Sequence, residues 1–350
     1  ASSNAPTSGR VGVSVQGYGY GRVEYSVEAR VGGTACAVST WRADSSVVVC
    51  RVGWGVAGTR QAAVSVGSQT GTASGGLSYD APVVDAPANG SLSSGGGGRN
   101  APTSGGSSVS MSGVGFGVFD SSVDVRVGGS GCSSGGAWCA DSFVVCAVAG
   151  GTAGTRRVIV SAGMQWGTVS GVVSYDAPAA SAVAARNVPG TGGGGLSVLG
   201  LGFGVADYSG VVQVGSTGSA NGTAWVSDSG VRGRAGAGVG GGLRVGVSVS
   251  RQVGSVTGVG SYDAPAVQRA SATNVPTSGR VTVTAVGVGM GLVGTTPMAR
   301  VGGTACCASV WAADSSVWCG AAAGAAGSRR VAVSVVRQVG SVSGVVSYDG

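Results

Sequence analysis

Four antiparallel β-sandwiches in tandem are what this sequence predicts, and three observations predict them. The first is a repeat. Tyr79, Tyr175, Tyr262 and Tyr348 each sit in Ser-Tyr-Asp, at spacings of 96, 87 and 86 residues. Asn4, Asn100, Asn187 and Asn274 each open Asn-(Ala/Val)-Pro, at spacings of 96, 87 and 87. Two independent landmarks keep one register, and a period of this size marks an array of structural units rather than copies of a catalytic site. The second is strict alternation after the Asn-x-Pro segment, in Arg280-Val-Thr-Val-Thr-Ala-Val286 and in Val11-Gly-Val-Ser-Val15. Period two means a half-buried strand. The third is turn residues about every 8 to 12 positions, with about seven short strands per unit and no convincing amphipathic helix, which is the pattern of a sandwich.

The units fall at residues 1–80, 97–176, 184–263 and 271–350. Each opens on its alternating strand and runs into a Gly-x-Gly-x-Gly cluster: Gly17/Gly19/Gly21, Gly113/Gly115/Gly117, Gly200/Gly202/Gly204 and Gly287/Gly289/Gly291. Tyr20, Phe116, Phe203 or Met290 stands between the last two glycines, so a bulge or tight turn should drop one large side chain into the core. A Val-Gly-Gly-Thr-Ala-Cys run follows in the first and fourth units (Val31 to Cys36, Val301 to Cys306). Then come a Trp (41, 138, 225 or 311), an Asp three residues later, and a Val-rich strand. A Gly-rich loop leads to Val-x-Val (Val64, Val158, Val331), and Ser-Tyr-Asp closes the unit. The linkers 177–186 and 264–273 are short and contain Pro, which favours stiff joints and an elongated rod. The first linker carries an insert, Asn89 to Arg99, which accounts for the 96-residue spacing. The chain starts and stops in repeat register, as a section of a longer array would.

Composition excludes much chemistry. Gly is 71 of 350 residues, aromatics are 5%, and the net charge of +7 rests on 21 basic residues, all Arg. With no His, neither a Ser-His-Asp nor a Cys-His centre can form, and there is no imidazole metal ligand. With no Lys there is no Schiff base and no Lys-(Ser/Thr) phosphate loop. The only glutamates are Glu24 and Glu28. No catalytic residue, cofactor or metal site is expected.

The order Pro-Thr-Ser-Gly, alternating strand, Gly-x-Gly-(Phe/Tyr)-Gly, Val-Gly-Gly-x-x-Cys, Trp-x-x-Asp-Ser, Val-x-Cys, Val-x-Val, Ser-Tyr-Asp resembles the IPT/TIG family. Its members are immunoglobulin-like sandwiches shared with plexins and Rel-type transcription factors. The Cys- and Trp-containing version resembles tandem arrays of large secreted or cell-surface proteins of algae and other protists. The resemblance covers essentially the whole chain outside the linkers, and it rests on four-fold agreement rather than on any single motif.

Eight cysteines occupy three units. Cys36 and Cys50, like Cys132 and Cys146, lie 14 residues apart, and the third unit places Ser219 and Arg234 where the pair would be. Joint loss is the signature of a disulfide, and it supports Cys36–Cys50, Cys132–Cys146 and Cys306–Cys319. Closing such a loop stabilises by about 3 kcal/mol in the chain-entropy model. Disulfides imply an oxidising compartment, here extracellular. Cys139 and either Cys306 or Cys307 are left over, with Cys307 the spare one if Cys306 pairs with Cys319, as free buried thiols, alternative partners within the unit or interchain links. No Cys-x-x-Cys pair and no four-ligand unit supports a metal.

Asn89-Gly-Ser91 and Asn221-Gly-Thr223 fit the N-glycosylation pattern. Pro82, Pro178, Pro265 and Pro297 follow Ala or Thr; they suit rigid joints, and they resemble the hydroxyproline and O-glycan sites of green-algal wall glycoproteins. Asp44, Asp141, Asp228 and Asp314 read as turn or capping residues, since one carboxylate per site cannot make a calcium site. The four repeated Trp read as core rather than as sugar platforms. The Gly-x-Gly-x-x-Gly at Gly236 to Gly241 aligns with the loop Gly53 to Gly58 and has no βαβ context, so it is no dinucleotide motif. The Arg pairs 156/157 and 329/330 suit an acidic polysaccharide or a protected strand edge. Arg spread over four units without interleaved aromatics does not suit nucleic acid. Uncharged stretches such as Val281 to Ala299 read as strands, not as a membrane span. The function predicted is an extracellular, glycosylated, disulfide-braced rod or fibril subunit that meets copies of itself or neighbouring repeats of a longer array. The alternative is an adhesion or receptor stalk with a glycan or protein ligand, the divergent third unit being the place to look.

Overall fold

The computed structural model describes residues 4–349 except 24, 43–45, 57, 86–91, 94–99, 121, 185–186, 219–221, 293–294 and 326. The chain is all-β: the described residues form 35 strands and no α-helix. It divides into two compact bodies, residues 1–176 and 177–350, and each holds two sandwiches. Four separate apolar clusters, one per sandwich, form the cores. The opening strands alternate as their sequences require. In Ser108–Val114 the inward side chains Val109 and Met111 are buried, and in Thr282–Val288 so are Val283 and Ala285.

The second sandwich shows the plan. One sheet runs in the order Asn100–Ala101, Gln165–Tyr175, Arg156–Ala162, Asp124–Val127, Ser130–Gly131. The facing sheet is built on Ser108–Val114, Phe143–Ala147 and Gly136–Ala140. The third and fourth sandwiches follow the same order.

The two sequence landmarks meet each other. In every unit the Asn-x segment pairs in parallel with the Ser-Tyr of the last strand: Asn4 with Ser78, Asn100 with Ser174, Asn187 with Ser261 and Asn274 with Ser347. The Asp amide that follows donates back across the seam, from Asp80 to Ala5 O and from Asp349 to Val275 O at 2.8 and 3.0 Å. In the third and fourth units the Asn side chain also donates to the Asp carboxylate, Asn187 to Asp263 and Asn274 to Asp349. Each unit is therefore closed by its own first and last strands.

The Tyr of Ser-Tyr-Asp is buried in all four units, and its hydroxyl reaches back 26 residues to a backbone carbonyl. Tyr79 donates to Gly53 O (3.0 Å), Tyr175 to Ala149 O (2.7 Å), Tyr262 to Gly236 O (2.8 Å) and Tyr348 to Ala322 O (2.9 Å). Burial pushes the Tyr79 phenol up, the nearby Arg60 charge acting in the opposite sense, so the hydroxyl stays protonated and can donate. The Gly-rich loop is thus the acceptor of a core tyrosine, and Gly236 and Gly53 hold equivalent places in it. The ring lies flat on a glycine two residues beyond the acceptor. A Cβ on Gly151 would stand 2.7 Å from Tyr175 Cζ.

Gly151→Ala should therefore lower the stability of the second sandwich by about 1–3 kcal/mol, the range for overpacking. Gly154→Ala, with open space around its Cβ position, should leave the thermal midpoint within error.

Candidate functional site

The Gly-x-Gly cluster, the Trp and the Asp form one clamp. Gly117, Gly204 and Gly291 have φ of 97°, 94° and 97°, a region that L side chains avoid. The turn this permits aims the glycine N–H at the Asp carboxylate and its C=O at the Trp indole. Gly117 N donates to Asp141 Oδ1, Gly204 N to Asp228 Oδ1 and Gly291 N to Asp314 Oδ1, each at 2.8 Å. Trp138, Trp225 and Trp311 donate Nε1–H to the carbonyls of the same glycines at 3.0–3.1 Å. The rings pack against their cores, as does Trp41. Between the last glycines Phe116, Phe203 and Met290 are at most 1% exposed. The first unit departs from this: Tyr20 is only partly buried and Trp41 Nε1 is buried with no partner among the described residues, while Asp44 lies outside them.

Disulfides join Cys36 to Cys50, Cys132 to Cys146 and Cys306 to Cys319, with Cα separations of 5.5–5.6 Å. Cys50, Cys146 and Cys319 are buried opposite the inward Val of the opening strand. Cys139 and Cys307 are exposed free thiols on the outer side. Register corrects one assignment. Leu196 pairs with Gly233 as Val109 pairs with Cys146, so Gly233 and not Arg234 stands at the second cysteine position. Arg234 is one residue out of phase and faces solvent. The joint loss of the pair survives this change, and Ser219 lies outside the described residues.

The linkers are built into the sandwich that follows them. Val83–Val84 pairs with the end of Ser108–Val114, Ala179–Ala184 with Gly195–Leu201, and Ala266–Ala270 with Thr282–Val288, all antiparallel. Val84, Val183 and Val267 are buried in those cores. A glutamine, invisible as a signal in the sequence, latches the junction. Gln165 Nε2 donates to Tyr79 O of the preceding unit at 3.0 Å, and Gln338 Nε2 to Tyr262 O at 2.7 Å. Gln338 Oε1 also accepts from Gly240 N at 3.1 Å. In the first body Thr7 Oγ1 donates to Asp141 Oδ1 at 2.7 Å, and Trp54 meets Phe119 edge-on with ring centroids 4.6 Å apart.

The remaining predicted positions divide. Asn89 and Asn221 lie outside the described residues. Pro82, Pro178, Pro265 and Pro297 are buried. Arg156 and Arg329 each donate to the carbonyl four residues back, Thr152 O and Ala325 O, and lie over the turns at Gly128 and Gly302. Arg157 and Arg330 are exposed. Among the described residues no cluster of three or more Cys, Asp or Glu could hold a metal, and no helix is long and apolar enough to cross a membrane.

The IPT/TIG domain family model matches residues 2–80, 99–175 and 265–348. No curated protein matches the chain. Among solved structures, the plexin A4 extracellular region (domains 1 to 8) aligns over 99% of this chain and 47% of its own, at 10% identity and a TM-score of 0.26. The surface glycan-binding protein PbSGBP-B from Prevotella bryantii aligns over 58% and 50%, at 14% identity and 0.37. The N-terminal eight immunoglobulin domains of Down syndrome cell adhesion molecule align over 99% and 53%, at 10% identity and 0.24. The chain thus spans about half the length of the plexin and adhesion-molecule chains. At these TM-scores none of the likenesses bears on function.

Two outcomes follow from the bridges and the latch. The denatured, unreduced protein should titrate two thiols per chain, and reduction should raise amide exchange in the first, second and fourth sandwiches but not in the third. Gln338→Ala, which removes two junction hydrogen bonds, should lower the unfolding free energy of residues 177–350 by about 1–3 kcal/mol, read by denaturant melts.

Proposed function

The chain belongs to the IPT/TIG domain family, and on that premise we propose that it is an extracellular structural repeat protein, a rod or fibril subunit of a cell surface or matrix. The observation that carries this reading is the junction. Within each of the two bodies the linker, Val83–Val84 or Ala266–Ala270, is a strand of the next sandwich with a buried side chain in that core, so the two units of that body share structure instead of hanging on a free tether. Burying these linkers restricts hinge motion, which is what a spacer needs and a flexible tether does not. The chemistry that recurs most regularly, the Trp-Gly-Asp clamp and the buried Tyr, is spent on folding. Three disulfides support an oxidising, extracellular setting. The absence of His and Lys supports a non-catalytic role. We place N-glycans on Asn89 and Asn221. Because the four prolines are buried in the folded units, any hydroxylation or O-glycan there would have to be added before folding. Cys139 and Cys307 are available to link neighbouring chains, and Arg157 and Arg330 to meet an acidic polysaccharide.

An adhesion or receptor stalk is the competing reading, favoured by the divergence of the third unit, where a 290 Å³ groove lies between Arg232, Arg234 and the loop at Gly222.

Negative-stain imaging of native material discriminates: ordered filaments support the structural role, whereas discrete particles that never assemble support the stalk. Glycopeptide mass spectrometry should find N-glycans on both asparagines, and unmodified Asn89 and Asn221 would remove that part of the proposal.

A further inference from the structure

The first sandwich has the receiving edge of a junction on which no described residue lies. In the other three, the opening strand is seven residues long (Ser108–Val114, Gly195–Leu201, Thr282–Val288). In the first it is five, Gly12–Gln16. The two missing residues correspond to Gly113–Val114, Gly200–Leu201 and Gly287–Val288, which are those that pair with the start of the linker strand. Among the described residues Gly17 and Tyr18 have no such partner, and the sheet has three strands.

Beside that edge lies a groove of 190 Å³ lined by Val15, Gly17, Tyr20, Val64, Gly71 and Thr72 among others. Its floor is core. Val15 is partly exposed where its counterparts Met111, Val198 and Ala285 are fully buried, and Tyr20 is partly exposed where Phe116, Phe203 and Met290 are buried. The counterparts of Gly71 are glycines for a visible reason. A Cβ on Gly167, Gly254 or Gly340 would overlap the carbonyl of Pro82, Pro178 or Pro265, the linker prolines seated there. At Gly71 the same direction meets nothing within 4 Å. Gln69 stands exposed at the place from which Gln165 and Gln338 reach the preceding Tyr carbonyl.

We infer that this groove is a docking site for the tail of another IPT/TIG unit, an extended Tyr-Asp-Ala-Pro-x-(Val/Ala) segment. The occupant is read from the three filled grooves, whose tails are Asp80-Ala-Pro-Val-Val84, Asp176-Ala-Pro-Ala-Ala180 and Asp263-Ala-Pro-Ala-Val267. The tail adds a strand to the free edge through Gly17 and Tyr18, as peptides do at exposed sheet edges. Its Pro lies over Gly71, the side chain two residues on covers Val15 and Tyr20, and its Tyr carbonyl accepts from Gln69. The inference concerns how a unit is received and holds whether the assembled array is a filament or a stalk, so the imaging above and the following titration fail separately.

The probe is the decapeptide of residues 261–270, Ser-Tyr-Asp-Ala-Pro-Ala-Val-Gln-Arg-Ala, added to the 350-residue chain. Saturable binding in calorimetry is expected, with new amide-exchange protection at Tyr18 and none at Gly17, whose N–H already donates to Ser46 O at 2.9 Å. Gly71→Leu should abolish binding without lowering the thermal midpoint, because the site around Gly71 is open. A peptide with its Val replaced by Asp should fail on the unaltered chain. Absence of saturable binding, or equal binding to Gly71→Leu, overturns the inference. So does self-association of the chain through this edge that the peptide does not displace, since the occupant would then be another face of a second copy.

Discussion

Each sandwich is closed by a parallel pairing between its first and last strands, and the other features hang on that seam. Pairing Asn-x with Ser-Tyr brings the start and the end of an 80-odd-residue unit to one place. It buries the Tyr, and the hydroxyl must then find an acceptor, which the Gly-rich loop provides 26 residues upstream. It also fixes the direction in which the chain leaves. Within each body the Asp amide is tied back across the seam, so Ala-Pro begins at a defined point and runs as an extended strand along the next opening strand. A change at the seam would thus be felt by two units.

The cores are small, and composition explains how they hold. They are mostly Val and Ala with one or two large rings, which gives limited apolar burial for domains of this size. Bridges in three units constrain the unfolded chain, and in all four the buried Tyr ties the loop to the last strand. The third unit lacks the bridge. There Gly233 lets Val212 approach, and Thr217 adds a hydroxyl contact to Tyr262 at 2.9 Å. The linker side chains Val84, Val183 and Val267 complete three of the cores, so a sandwich of this kind is finished by a residue outside its own repeat.

Much of this was legible in the residues. Alternation gave the opening strands, the cysteine spacing gave the bridges, and the repeat alignment placed Trp, Asp and the Gly-rich loop in the scaffold. The misses have physical causes. Spacing alone puts Arg234 at the lost cysteine because it cannot resolve one residue, whereas in a sheet one residue exchanges inside for outside. Tyr20 groups with Phe116 in the sequence because both precede the last glycine, yet the burial of Phe116 is completed by a linker strand that Tyr20 lacks among the described residues. The Asp carboxylates read as generic turn residues; that they hold a left-handed glycine whose carbonyl is held by a Trp is a three-body geometry with no linear signature.

Gln165 and Gln338 mark the same boundary. A glutamine at the start of a polar, exposed-looking strand carries no one-dimensional signal, and its role exists only because the preceding Tyr carbonyl arrives opposite it. What the sequence by itself determined is local and periodic: the number of units, the strands, the turns and the pairs of cysteines, since each depends on neighbours or on register within one repeat. What the tertiary structure decided is which edges are covered and which side chains finish a neighbour's core. Those depend on hydrogen-bonding groups that face outward from a strand, and a strand's sequence does not say whether another strand lies beside it.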